Sequence, residues 1–274
     1  MQKVRWLYQA RKAGHTGTLD PYATGMLPIC LGEASKTAAF MLDANKTYEA
    51  RARLGVATET GDTEGAVVRE EAAPELNVAE IETVLERFTG SIEQVPPMYS
   101  ALKHEGQPLY KLAREGKEVE RKPRTVTIHS LELIAWEAPD LLFRVRCSKG
   151  TYVRTLAEDI AEALGSCAHL AALRRLEAGP FSGGMVSLEE LEIRAEAGDP
   201  ESLLLPVDAG LEGWPLETLD ENAARRFSHG NPVPAASQTA GNVRVYGPAN
   251  RLLGIGEITE ENLLKPRRIM NLEK

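Results

Sequence analysis

Asp20 stands beside Pro21 in the stretch GHTGTLDPYATGML, residues 14–27, which carries three glycines and a histidine and shows little apolar periodicity. A loop so poor in packing groups adds little to a core, so its residues are kept for what they touch. An Asp-Pro pair is also the arrangement of a helix N-cap followed by proline at the first helical position. Gly25 would end such a helix after about one turn, leaving the cap little to stabilise. No GxxxxGK[ST] pattern occurs, so the glycines do not form a P-loop. What the stretch offers is one carboxylate displayed on a glycine-permitted loop, with His15 shortly before it, a candidate functional group.

A second constellation is SKGTYVRTLAEDIAEALG, residues 148–165. Val153, Leu156, Ile160 and Leu164 define the buried stripe of a helix starting near Thr151, which puts Arg154 in its first turn. A cation there faces the positive end of the helix dipole and calls for an anion, either a carboxylate such as Asp20 or a substrate phosphate. The plainer alternative is a surface arginine that tolerates a small penalty.

Tyr48 falls on the apolar face of a strand, so core packing is its default explanation. Lys46 and Thr47 before it place it early in the strand, near an edge where a ring could face a cleft. Asp62 lies in TETGDTEG, a turn by composition, where an aspartate is more often solvated than functional.

These groups need a scaffold. KTYEARARLGV alternates Tyr48, Ala50, Ala52 and Leu54 with Glu49, Arg51 and Arg53, the period of a half-buried strand. DLLFRVRCS repeats the pattern with Phe143, Val145 and Cys147 inward, and TVTIHSLELIAWE is a third long strand. EASKTAAFMLDA, VAEIETVLERF, LYKLAREGKEVE and TYVRTLAEDIAEALG carry the three- and four-residue spacing of helices. Strands and helices mix without strict βαβ alternation, which predicts an α+β fold around a mixed, mostly antiparallel sheet with flanking helices. After AGDPESLLLP the chain turns to short segments between Gly, Pro and Asn, predicting a small β-barrel-like domain from near Leu205.

The 274 residues are 43% hydrophobic and 26% charged, an ordinary globular composition. No apolar run is long enough to span a bilayer and no signal segment follows the N-terminus, so a cytoplasmic protein is expected. Cys30, Cys147 and Cys167 lack metal-ligand spacing and read as reduced, buried small hydrophobes, with neither disulfide nor structural zinc. The net charge of −8 argues weakly against a polyanion partner. Its acidic residues, however, concentrate in REEAAPELNVAEIETVLERF, SLEELEIRAEAGDPE and LEGWPLETLDE. KLAREGKEVERKPR, RVRCSKGTYVR and ALRRL are locally basic, so an acidic shell around a basic cleft stays compatible with RNA.

Taken together the segments resemble the TruB-type tRNA pseudouridine synthases. AGHTGTLDPYATGMLPICLGEASK is similar to the catalytic motif of that family, KTYEARARLG to its second motif and CSKGTYVRTLAEDI to its third. TxTGDxxG, PPMYSALKHEGQPLYKLAREG and LRRL match in order and spacing, so the similarity runs from about Arg11 to Leu176. The resemblance implies the pseudouridine synthase fold over residues 1–204, with a thumb-like insertion at about 98–124, and a PUA-like RNA-binding domain over 205–274. It implies isomerisation of the T-loop uridine at position 55 of tRNA, with Asp20 as the catalytic aspartate. Tyr48 would stack on the target base and Arg154 would pair with Asp20. His15 would fill or line the space left by the extruded base, Tyr152 and Leu173 would shape the pocket, and Asp62 would organise substrate contacts. It further implies no cofactor, no metal, no guide RNA and no membrane, and a monomer working on the T-arm of tRNA. The family's usual opening strand and Lys-Pro-x-Gly motif have no counterpart before MQKVRWLY, so a sheet strand is expected to be missing. A binding-only RNA-folding helper and a guide-RNA-dependent synthase are the competing readings; the insertion and the ATGMLPICLGEASK continuation favour the stand-alone enzyme.

Overall fold

The computed structural model describes residues 1–272. The chain forms two compact units, one made of Thr18–Leu27 and Asp43–Gly183, the other of Met1–Gly17, Pro28–Leu42 and the chain from Gly184.

The first unit is built on a seven-stranded sheet. Its strands are β1 (Thr24–Gly25), β2 (Lys46–Leu54), β3 (Gly90–Gln94), β4 (Arg124–Glu137), β5 (Asp140–Cys147), β6 (Ala168–Ala178) and β7 (Phe181–Ser182). They lie in the order β7-β6-β2-β5-β4-β3, antiparallel throughout, with β1 pairing β6 in parallel. The alternation in β2 buries Ala50, Ala52 and Leu54 and leaves Arg51 and Arg53 outside, and in β5 it buries Leu141, Phe143, Val145 and Cys147. The mixed, mostly antiparallel sheet with flanking helices read from the sequence is therefore what forms.

Two helices cover the buried face. In α1 (Val78–Arg87), Asn77 accepts from the Glu80 N–H at 3.0 Å and Glu80 accepts from the Asn77 N–H at 2.8 Å. This capping box satisfies two backbone donors that the helix itself leaves open. Ile81, Val84 and Leu85 face the core. The shorter α2 (Leu109–Arg114) follows a small hairpin of Lys103–His104 with Gln107–Pro108. LYKLAREGKEVE thus stops being helical well before Glu120, because Gly116 takes the left-handed conformation that ends helices. In α3 (Val153–Ala163), Val153, Leu156, Ala157, Ile160 and Ala161 are buried, and they pack with Phe143, Leu141 and Leu170 in one core.

In the second unit, EASKTAAFMLDA is a 3-10 turn (Gly32–Lys36) followed by a four-residue helix (Ala38–Met41), not one continuous helix. Ser35 Oγ donates to the Gly32 carbonyl at 2.7 Å and Thr37 Oγ1 to that of Ala34 at 2.8 Å, and such local bonds compete with the α-helical ladder. Towards the C-terminus lie β8 (Leu216–Thr218), α4 (Glu221–Ser228), β9 (Val233–Pro234), β10 (Gly241–Gly247), β11 (Arg251–Ile258) and β12 (Leu263–Ile269). They form a five-stranded sheet in the order β8-β10-β11-β12-β9 around a core that includes Phe227, Val245 and Leu264.

Cys30, Cys147 and Cys167 are all buried, as small hydrophobes are expected to be. Among the described residues no helix is long and apolar enough to cross a membrane.

Candidate active site

The Asp20 loop belongs to the first unit. The N-cap arrangement of Asp20 and Pro21 does not start a helix: the Ala23 N–H donates to the Asp20 carbonyl at 3.0 Å, and residues 21–22 are a turn with proline at its second position. The chain then enters β1, where Gly25 sits opposite Arg175 of β6. A Cβ on Gly25, whose φ is +99°, would lie 2.1 Å from the Arg175 carbonyl oxygen. Only glycine allows the loop this close to the sheet.

Arg154, in the first turn of α3, is buried, with 5% of its side chain exposed, which removes the surface-arginine alternative. Its Nε is 3.0 Å from Asp20 Oδ2 and its Nη1 is 3.6 Å from Asp62 Oδ2. Nη1 also donates to the Thr60 carbonyl at 2.7 Å and Nη2 to the Tyr99 carbonyl at 2.8 Å. One guanidinium thus spends its fork on two carboxylates and two carbonyls, so its orientation is fixed by several bonds at once.

Asp62 lies in the turn that composition predicts, yet it is buried and not solvated. Its Oδ1 accepts from Thr60 Oγ1 at 2.5 Å and from the Glu64 N–H at 3.0 Å. The turn is bound to β6, with the Leu170 N–H donating to the Gly61 carbonyl at 2.9 Å. Burial raises the Asp20 pKa above the ordinary aspartate range; the Arg154 charge pulls it down, and Asp62 pushes it up. The guanidinium therefore favours the ionised form of a half-buried carboxylate, against the effect of burial.

Tyr48 is half-buried in β2, which has neighbours on both sides and is not an edge of the sheet. It sits opposite Val145 and Arg175 and packs on the core. Burial raises its pKa, and the charge and hydrogen bond of Arg175 oppose that rise. Tyr152 stands at the N-cap position of α3, without a side-chain capping bond. Its N–H donates to Gln94 Oε1 at 3.1 Å, and Gln94 Nε2 donates to its carbonyl at 3.3 Å. Leu173 is buried in β6 opposite Ala50. His15 belongs to the other unit, at the end of the strand Ala13–His15, where its Nδ1 accepts from the Gly17 N–H at 3.3 Å.

The structure thus brings Asp20, Asp62 and Arg154 together, with Tyr48 and Tyr152 within electrostatic reach of Asp20. Three further residues lie within the quoted motifs, yet nothing in their own type or spacing singles them out. Arg175, inside the basic run ALRRL, is 1% exposed and donates from Nε to the Met26 carbonyl at 2.6 Å. Tyr22 places a buried hydroxyl near Asp20 with no hydrogen-bond partner among the described residues. Glu158, one turn after Arg154, has its pKa pushed up to about 7 by burial and by Asp159, against the pull of Arg154. Among the described residues no group of three or more His, Cys, Asp or Glu is placed to hold a metal ion.

Known proteins share this architecture. A chain from a crystal structure of a Cbf5-Nop10-Gar1 complex superposes with a TM-score of 0.72 at 26% identity, over 99% of this chain and 78% of that one. A chain from an H/ACA RNP bound to a substrate RNA containing 2′-deoxyuridine superposes at 0.73 with 23% identity and shares the fold. The architecture is the pseudouridine synthase fold.

The model of the TruB family pseudouridylate synthase N-terminal domain matches residues 5–153, and two TruB C-terminal models match 154–212 and 215–270. A protein named tRNA pseudouridine synthase B from Pseudomonas fluorescens (strain Pf0-1) is 51% identical over all of this chain and 91% of its own length. One of the same name from Ectopseudomonas mendocina (strain ymp) is 52% identical over 98% of this chain and 90% of its own. The chain belongs to the TruB family of pseudouridine synthases.

Proposed function

We propose that this protein isomerises uridine to pseudouridine in tRNA, at the T-loop position 55, with Asp20 as the catalytic group acting on a flipped-out nucleotide. The observation that carries the reading is the half-buried Asp20 carboxylate held at 3.0 Å by a buried guanidinium, in a chain about half identical to proteins named tRNA pseudouridine synthase B.

The reaction breaks the bond between N1 of uracil and C1′ of ribose, turns the base, and joins C5 to C1′. The proton lost from C5 is balanced by the one gained at N1, so no atom is added or removed and no oxidant is consumed. An ionised Asp20 either attacks C1′ to form an ester that C5 then displaces, or takes the C2′ proton to give a glycal and returns it as C5 adds, so that in both routes the carboxylate ends as it began. Arg154 keeps the carboxylate ionised and aimed, and Asp62 holds Arg154 from its far side. The Tyr48 ring stacks on the detached base, worth roughly 1 to 3 kcal/mol, and its hydroxyl serves in proton transfer. Tyr152 and Leu173 shape the pocket, and His15 fills or lines the space the extruded base leaves in the RNA.

The segment 98–124 acts as a thumb over the T-loop, with Lys103, Tyr110, Lys111, Arg114 and Lys117 for phosphate contact; Arg114 already lies over the Tyr110 ring at 5.6 Å. Residues 205–274 act as a PUA-like RNA-binding domain. The protein works as a cytoplasmic monomer without guide RNA. The test is incubation with an unmodified tRNA transcript followed by mapping of pseudouridine. Modification at position 55 alone is expected; tRNA binding without product would favour an RNA-folding helper.

A further inference from the structure

Arg175 has a place in this site that goes beyond the roles given above. In β6 it sits opposite Gly25 of β1 on one side and Tyr48 of β2 on the other. With 1% of its surface exposed, it does not lie where RNA phosphates would meet it. Its Nε donates to the Met26 carbonyl at 2.6 Å, its Nη1 to the Thr18 carbonyl at 3.4 Å, and its own carbonyl accepts from the Met26 N–H at 2.8 Å. The two backbone carbonyls that accept from its side chain bracket Asp20, one on each side of it in the chain. Across the sheet Tyr48 stands directly opposite Arg175, and the charge and hydrogen bonding of that guanidinium draw the Tyr48 phenol pKa down against the rise that burial imposes.

Resting on the reading of Asp20 and Tyr48 above, we propose that Arg175 is a positioning residue that fixes the Asp20 loop and the Tyr48 hydroxyl relative to each other. A guanidinium has donors only, so in this pair the phenol oxygen must accept. Its own proton is then directed away from Arg175. One buried group thereby sets the height of the loop above the sheet and the direction in which Tyr48 can give or take a proton. Lysine in the same place keeps the charge but has no planar fork with which to reach two carbonyls and a phenol together.

The test compares wild type, R175K, Y48F and the double variant on an unmodified tRNA transcript, measuring single-turnover rate, tRNA affinity and melting temperature. Lost positioning should lower the R175K rate roughly tenfold to a hundredfold with affinity kept within about twofold. Y48F should slow the wild type and add little in the R175K background, because the hydroxyl is no longer aimed there. An R175K rate equal to wild type, or rate effects of R175K and Y48F that simply multiply, would overturn the proposal. If R175K does not fold, R175Q, whose planar amide can still donate to one carbonyl, takes its place; failure of both to fold overturns the proposal by making Arg175 a core residue only. A wild type that forms no pseudouridine would instead sink the functional reading, so the two failures are told apart.

Discussion

Arg154 meets Asp20 through Nε at 3.0 Å, and while the arginine side chain is 5% exposed the aspartate is 35% exposed. The cation is therefore the fixed, interior partner and the carboxylate is the one that faces outward. This asymmetry is what a group presented to an incoming nucleotide requires, and it makes the two residues separable by mutation. D20N keeps the shape and can still accept from Arg154, but loses the charge. The rate of pseudouridine formation should fall by roughly a thousandfold or more while tRNA binding and fold persist. A D20N protein turning over near the wild-type rate would remove Asp20 from the mechanism.

The same pair predicts a pH effect. The proposed mechanism needs ionised Asp20, whose folded-state pKa is raised by burial and held back by Arg154. The rate should therefore drop on the acid side as pH falls through that raised value. R154K loses the bidentate reach of the guanidinium and should both slow the reaction and move the acid limb to higher pH. An unchanged acid limb with a reduced rate would mean that Arg154 acts on substrate and not through Asp20.

Much of this geometry is legible in the sequence, for local reasons. The alternation of β2 and β5 and the apolar stripe of α3 are short-range patterns, and Arg154 announces itself as a cation at the wrong end of a helix. Asp62 and Arg175 are different. Each is a polar residue whose local surroundings suggest solvent, a glycine turn in one case and an arginine pair in the other. Each is buried because a distant segment closes over it: β6 against the 58–62 turn, the Asp20 loop against β6. Burial of a charge by long-range pairing has no periodicity to betray it. The breaks in two expected helices have the opposite origin, being local side-chain and glycine effects that outweigh apolar spacing.

Substitutions of Tyr48 test the proposed stacking and proton transfer separately. Y48F retains the ring and should bind tRNA normally while slowing chemistry, whereas Y48A removes stacking worth roughly 1 to 3 kcal/mol and should weaken both. Wild-type turnover by Y48F would exclude any part for the hydroxyl.

Glu158 should be a stability liability. Its folded-state pKa of about 7 lies above the ordinary carboxylate value, so the folded protein binds a proton that the unfolded chain gives up. Stability from this group is present at low pH and is lost as pH rises from the ordinary glutamate range to about 7. E158Q should escape that loss, be more stable than wild type at pH 8 by an amount on the order of 1 kcal/mol and melt correspondingly higher, with little difference at acid pH. Asp159, whose pKa is pushed up to about 6, keeps part of the slope in both proteins. Equal melting of wild type and E158Q at pH 8 would show that Glu158 carries no such penalty.

Gly25 tests whether the Asp20 loop must lie against β6. Its φ of +99° alone would strain any side chain, and its Cβ would meet the Arg175 carbonyl at 2.1 Å. Gly90 has nearly the same φ, +101°, but a Cβ there meets nothing within 4 Å. G90A should therefore cost only the conformational penalty, on the order of 1 kcal/mol. G25A must also push the loop off the sheet and carry Asp20 with it. Expected are a larger drop in melting temperature and a fall in turnover of about a hundredfold with tRNA affinity largely retained, while G90A keeps its rate. If G25A and G90A lose equal stability and both turn over normally, the close approach of loop and sheet is not what places Asp20.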